Sequence, residues 1–148
     1  MRAVVQRVSR ACVRVDGQTV AAIGRGLLIL LGIGRTDSAH DAEWMINKLL
    51  NLRIFPDDAN NMNRSVTDVG GKLLLVSQFT LYGDAQRGTR PSFSDAMSPA
   101  EAEKFYIDFM TKLRAATKLT VAEGKFAAMM DVELVNDGPV TIMLDSHA

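Results

Sequence analysis

The chain has 148 residues, 47% apolar and 23% charged, enough for one domain with its own core and too short for two. Seventeen basic residues balance seventeen acidic ones, so no overall field recruits nucleic acid or an anionic membrane, and a polyanion has to be met by a local cluster. A lone Cys12 excludes an internal disulfide, the longest apolar run (Leu27–Leu31) is too short to span a bilayer, and MRAVVQRVSR lacks the apolar stretch of a signal peptide, so a cytoplasmic protein is expected.

Ala3–Val8 and Ala11–Val15 are rich in β-branched residues, and Asp16-Gly17 gives a tight-turn signal before Gln18–Ile23. Residues 11–23 therefore read as a hairpin. Arg7 and Arg10, set among apolar neighbours, read as positions on a solvated strand edge. Gly24-Arg25-Gly26 breaks the chain ahead of Leu27–Ile33, the most apolar strand. Asp37 and Ser38 can cap a helix over Ala39–Asn51, with Trp44, Ile46, Leu49, Leu50 and Leu52 as its apolar stripe. Asp57–Asn63 is a polar loop without the glycine and terminal glutamate of a calcium-binding EF-hand. Ser65–Val69 reads as a short strand before the Gly70-Gly71 turn.

Leu73–Val76 is an apolar run too short for a helix, read as a strand buried on both faces. It then meets Ser77-Gln78-Phe79-Thr80-Leu81-Tyr82 before Gly83-Asp84. Continued as a strand, it would set Ser77, Phe79 and Leu81 on one face and Gln78, Thr80 and Tyr82 on the other. Polar groups at the end of a core strand need partners from the protein or from a ligand. The following segment, Ala85–Phe93, has turn residues, Arg87 and Arg90, and little to bury; such loops either have no role or hold a phosphate. Ser98-Pro99-Ala100-Glu101 starts a helix reaching about Thr117 and burying Ala102, Phe105, Phe109, Met110 and Leu113. Leu119–Glu123, Met129–Asn136 and Val140–Leu144 close the chain as strands, with a break at Asp137-Gly138-Pro139. From the residues alone that break reads as a hairpin turn, since only about 5–6% of X–Pro bonds in folded proteins are cis. Several strands and two helices without regular alternation indicate an α+β fold.

His40 and His147 lie at a helix start and near the last residue, poor places for a catalytic base. No metal-ligand spacing, Walker loop, GxSxG or dinucleotide fingerprint is present, and neither a metal nor a cofactor is expected. Thr80 has no evident base to activate it. This inventory suits a substrate needing little chemical help, such as an activated ester with a neighbouring hydroxyl of its own.

SQFTLY at 77–82 and NDGPVT at 136–141, with MRAVVQRV, GLLILLGI, GTRPSF and the closing NDGPVTIMLDS, resemble the D-aminoacyl-tRNA deacylases over nearly the whole chain. The resemblance implies a single compact domain over residues 1–148, built on a mixed or antiparallel barrel-like sheet with two main helices. It implies hydrolysis of the ester in D-aminoacyl-tRNA, and in glycyl-tRNA mischarged on tRNA-Ala, as a proofreading step in translation. The active form would be a homodimer gripping the acceptor end of tRNA, with sites at the subunit interface. Ser77, Gln78, Phe79 and Thr80 would line the catalytic site, and backbone N–H groups around Gln78 and Phe79 would stabilise the oxyanion. A cis Gly138-Pro139 pair would enter the partner's pocket and exclude L-aminoacyl groups. Phe126, Met130 and Arg7 would complete substrate binding. A ribose hydroxyl of the tRNA would assist, leaving Thr80 to position, and Lys72, Arg87 and Arg90 are candidates for phosphate contacts. Ala127 departs from the glycine usual in relatives and adds a methyl near the adenosine side of the pocket. Two other readings are a hydrolase of small acyl esters using Thr80 and a non-catalytic RNA-binding module.

Overall fold

The computed structural model describes every residue from Met1 to Ala148. Its axis is β1 (Arg2–Val15), which folds back through Asp16 and Gly17 into β2 (Gln18–Ile23). Both turn residues have positive φ, 51° and 75°, the backbone of a two-residue turn matched to strand twist. β3 (Gly26–Gly32) then pairs antiparallel with the first half of β1, while β2 takes the second half.

Helix α1 (Ala39–Asn51) starts where the Ser38 N–H donates to the Asp41 carboxylate at 2.8 Å, satisfying a donor the helix cannot pair. Its buried face is Ala42, Met45, Ile46, Leu49 and Leu50. Met45 belongs to that stripe, and Trp44 and Leu52, expected in it, lie at its margin. A small hairpin of β4 (Phe55–Pro56) and β5 (Met62–Arg64) follows. The strand expected at Ser65–Val69 is a turn. The Ser65 N–H bonds the Asp68 carboxylate at 2.8 Å and the Asp68 N–H bonds Ser65 Oγ at 3.1 Å, a local exchange that outcompetes a sheet ladder.

β6 (Lys72–Ser77) runs parallel to β3, and β7 (Val121–Glu123) runs parallel to β6. Between them α2 (Pro99–Ala116) begins with proline, and Ser98 Oγ bonds the Glu101 carboxylate at 2.5 Å. Tyr106, one turn beyond Ala102, takes the buried place expected for Phe105. The last strand, β8 (Asp131–Asp145), lies antiparallel along the whole of β1. Two strands separated by a break were expected here; the structure has one strand with a bulge. The six-stranded sheet has the order β2-β1-β3-β6-β7 with β8 on β1. β2 folds back towards β6 and β7, so this mixed sheet curls into a nearly closed barrel forming a single compact α+β domain.

Burial follows the period of two. Leu73 and Leu75 of β6 join Leu27, Ile29 and Leu31 of β3 under the two helices. Leu74 and Val76 face the other way, with Leu28, Val8, Ala11 and Val13. Strand β6 is therefore buried on both faces, as its unbroken apolar run predicts. No helix is long and apolar enough to cross a membrane.

Candidate active site

Ser77 closes β6 opposite Leu31, and the Gln78 N–H donates to the Leu31 carbonyl at 2.7 Å. The strand ends there. Phe79–Tyr82 winds into a 3-10 helix, with Leu81 N–H to Gln78 C=O at 3.2 Å and Gly83 N–H to Thr80 C=O at 2.9 Å. The alternation of faces expected through Tyr82 is thus replaced by a turn. Its cause lies on β3 and just beyond. A Cβ on Gly34 would lie 2.6 Å from the Tyr82 hydroxyl, and one on Gly32 3.0 Å from the Gln78 carbonyl. Those two glycines leave the room into which Tyr82 folds back. Arg2 holds the turn from above, its guanidinium 4.6 Å from the Tyr82 ring centre, donating to the Leu81 carbonyl at 3.1 Å and to Asp145 at 3.1 Å. Burial, then the charges of Asp37 and Asp145, push the Tyr82 phenol up, so it stays neutral.

The turn presents Phe79, 58% exposed, and an exposed Thr80. The Thr80 hydroxyl has one hydrogen-bond partner, the side-chain amide of Gln78, which is no base. As the opening residues of a 3-10 helix, Phe79 and Thr80 have no partners for their N–H groups within it, and neither donates a backbone bond elsewhere. Two main-chain donors, on successive exposed residues, are therefore unpaired. Of the N–H groups expected around Gln78 and Phe79, that of Gln78 is taken by the Leu31 carbonyl, while those of Phe79 and its neighbour Thr80 are unpaired.

The second motif is the bulge in β8. Gln6 pairs with Thr141 and Val8 with Asn136, so Asp137, Gly138, Pro139 and Val140 stand opposite Arg7 alone. The Gly138-Pro139 bond is cis, and Gly138 has φ +124°. Asn136 closes the neck of the bulge, its amide donating to the carbonyls of Arg7 and Val140 at 3.0 Å each. Asp137, Gly138 and Pro139 project as exposed residues. Arg7 lies beneath them, only 9% exposed, which overturns its reading as a solvated strand edge. Its Nη1 donates to the Ile54 carbonyl at 2.7 Å and its Nε to the Asp137 carbonyl at 3.2 Å. Arg7 thus supports the Gly138-Pro139 segment from inside. Arg10 by contrast is exposed and paired with Glu133.

Phe126 packs against Tyr106, ring centres 5.5 Å apart, beside a turn closed by the Ala128 N–H and the Lys125 carbonyl at 3.2 Å. Ala127, at the third position of that turn, has φ +62°, a conformation natural to glycine. The Met130 sulfur lies 2.8 Å from where a Cβ on Gly124 would stand, and that point is 3.7 Å from Val76. Met130 therefore sits close to the end of β6 that carries Ser77.

The structure does not bring all of these residues together within one chain. Ser77 is level with Leu31, Ala3 and Leu144, whereas Arg7 is level with Leu27. The bulge is thus about four residues along and three strands across from Ser77, on the order of 20 Å at ordinary strand spacings. Asn136, the first residue of NDGPVT, positions the second motif, and Arg2 and the glycines under Tyr82 position the first; no local pattern in the sequence marks these roles.

His147, though half-exposed, lies with its Nε2 2.8 Å from Asp37 Oδ1, near Asp41. These three could group around a cation, but the Met1 ammonium already bonds Asp37 Oδ1 at 2.6 Å. Ser146 Oγ accepts from the same ammonium at 2.5 Å and bonds Asp41 at 2.7 Å. The cluster is an ionic latch that ties the N-terminus and the start of α1 to the end of β8.

A family model described as D-Tyr-tRNA(Tyr) deacylase matches residues 4–145. The chain is 56% identical over 146 residues to the D-aminoacyl-tRNA deacylase of Chloroherpeton thalassium, covering 99% of this chain and 96% of that one. It is 59% identical over 147 residues to that of Anaeromyxobacter dehalogenans, covering 99% and 98%. A solved structure described as c-Myc DNA unwinding element binding protein matches with TM-score 0.94 and 46% identity over 98% of both chains. A probable eukaryotic D-amino acid tRNA deacylase shares the fold, with TM-score 0.82 and 19% identity over 97% of both. Matched from end to end by sequence, by family and by fold, this chain belongs to the D-aminoacyl-tRNA deacylases, a family of hydrolases.

Proposed function

We propose that this chain, as one deacylase domain over residues 1–148, hydrolyses the ester joining a D-amino acid to the terminal ribose of tRNA, proofreading the handedness of charged tRNA. One observation carries the reading: two unpaired main-chain N–H groups, on Phe79 and Thr80, at an exposed turn where the threonine hydroxyl bonds an amide and no base. Such a pair can receive the oxygen that becomes negative as the ester is attacked. In a well-studied protease each such donor is worth about 2.7–4 kcal/mol. A neighbouring ribose hydroxyl of the tRNA assists attack by water, and Thr80 and Gln78 orient the ester.

Handedness is read by exclusion. With the amino group and the ester held, an L side chain points at the main chain of Gly138 and Pro139 supplied by a partner subunit, and a D side chain points away. Each tenfold of rejection needs about 1.4 kcal/mol, which a clash against fixed backbone exceeds. Two features support an exchanged bulge: its exposure, and its separation from Ser77 within one chain. The sheet face away from the helices supports a homodimer, because Met143 there is 81% exposed and pairs with Val4. Glycine has no side chain to exclude, so glycyl-tRNA mischarged on tRNA-Ala is also cleaved. Phe126 and Met130 bound the adenosine side of the pocket, and the work belongs in the cytoplasm, where charged tRNA is used.

A deacylation assay with D-tyrosyl-, L-tyrosyl- and glycyl-tRNA tests this. Release from the D- and glycyl-tRNAs with the L-tRNA left intact is expected. Cleavage of all three at similar rates would refute exclusion, and cleavage of none would refute the function.

A further inference from the structure

Among the eleven arginines of the chain, nine have a hydrogen-bond, carboxylate or aromatic partner. Arg87 and Arg90 have none. Both are exposed, and both stand on one loop. That loop is pinched at its base by a two-bond bridge, Asp84 N–H to Ser92 C=O and Ser92 N–H to Asp84 C=O at 2.8 Å each. Above the bridge, Ala85–Pro91 carries two positive charges and no negative one. The first turn of the loop is ordered by the Asp84 carboxylate, which accepts the Gln86 N–H at 2.9 Å.

The base of the loop is fixed to the candidate active site. Phe93, just past the bridge, packs edge-on against Phe79 with ring centres 5.1 Å apart and planes at 70°. A Cβ on Gly83 would lie 3.0 Å from the Phe93 ring, so the 3-10 turn and the loop are seated on one another. Lys72, the other basic candidate, begins β6 at the end opposite Ser77. Five residues of strand set it about 16 Å from the turn.

From this placement we infer that the Asp84–Ser92 loop is the phosphate grip of the enzyme, with Arg87 and Arg90 contacting backbone phosphates of the tRNA acceptor end. The inference rests on the deacylase reading and names its RNA-binding surface. On a protein of zero net charge, unpaired guanidiniums on a tethered loop supply the local attraction that the whole molecule lacks. Arginine donors fit phosphate oxygens without a base-specific contact, so the grip serves many tRNAs. It holds the acceptor end at the enzyme equally in the ground and transition states, within reach of the donors on Phe79 and Thr80.

The test compares D-tyrosyl-tRNA with D-tyrosyl-adenosine, which has the ester but no phosphate, for wild type, Arg87→Ala/Arg90→Ala and Lys72→Ala. Two phosphate contacts contribute about 1.4–1.8 to the slope of log kcat/KM against log salt. Between 50 and 200 mM salt the wild type should therefore lose about 7–12-fold more activity on tRNA than the double variant. At low salt the double variant should show a raised KM for tRNA, a kcat near wild type, and a lower preference for tRNA over D-tyrosyl-adenosine. Lys72→Ala should alter the slope far less. Wild type active on tRNA with an unchanged slope in the double variant would overturn the loop's role alone, as would an equal loss from Lys72→Ala. Wild type inactive on D-tyrosyl-tRNA would overturn the deacylase reading and this inference with it.

Discussion

Thr80 is exposed at the second position of the 3-10 turn, and its hydroxyl meets only an amide. A nucleophilic threonine requires a group that takes its proton. Thr80→Ala should therefore lower kcat on D-tyrosyl-tRNA by roughly tenfold or less. A fall beyond about 10⁴-fold with KM unchanged would identify it as the nucleophile. Ala127 is a second informative position. Its φ of +62° costs an L-residue roughly 1–2 kcal/mol, a penalty glycine avoids. Against the greater chain entropy of glycine, Ala127→Gly should still stabilise the fold by about 0.5–1 kcal/mol, measured by urea denaturation. Destabilisation would mean that the methyl packs favourably enough to outweigh the backbone.

At the scale of the element, the bulge in β8 depends on a glycine that cannot be replaced without movement. A Cβ on Gly138 would come 2.9 Å from Val140 Cγ2 and 3.0 Å from Arg7 Nη2, and its φ is +124°. Gly138→Ala should displace the bulge and weaken the support from Arg7. Its expected signature is a rise in L-tyrosyl-tRNA cleavage of tenfold or more relative to D-tyrosyl-tRNA, equivalent to about 1.4 kcal/mol. Unchanged stereoselectivity in a folded variant would count against exclusion by this segment. The 3-10 turn is set by its surroundings in the same way: Tyr82 folds over Gly34, and Arg2 ties the turn to β8.

The whole molecule is closed by the latch of Met1, Asp37, Asp41, Ser146 and His147. For Asp41, burial alone would raise the carboxyl, but hydrogen bonds from Ser146 and Ser38, with His147 nearby, hold it well below the usual carboxylate range. Asp145 is also lowered: burial opposes it, and bonds from the His147 N–H and Arg2 prevail. A folded-state pKa below the unfolded value of about 3.9 stabilises above that pH and loses its contribution as pH falls. Stability should be level above about pH 5 and decline below about pH 4. Asp41→Asn also weakens the helix cap, so it should lose about 1 kcal/mol at pH 7. The difference in Tm from wild type should narrow as pH falls from 5 towards 2. A difference constant with pH would assign Asp41 a capping and packing role only. On the opposite face, Met143→Asp should yield a monomer by sedimentation and abolish deacylation. A dimer that persists would place the interface elsewhere.

Elements whose signals are local can be read from the residues alone. The DG hairpin, α1 over Ala39–Asn51 and the proline start of α2 were all legible, because turn chemistry, caps and apolar period act over a few residues. The doubly buried β6 was legible for the same reason, and the two short motifs together were enough to place the family. The turn after Ser77 depends on the folded chain, since the room for Tyr82 comes from Gly32 and Gly34, some fifty residues earlier. The burial of Arg7 likewise comes from folding, because its partners are the carbonyls of Ile54 and Asp137, far away in the chain. The same holds for the Gln78 N–H, taken by Leu31 of the neighbouring strand, which leaves the free donors on Phe79 and Thr80. Periodicity records which side chains a segment buries; it cannot record which distant backbone group will satisfy them.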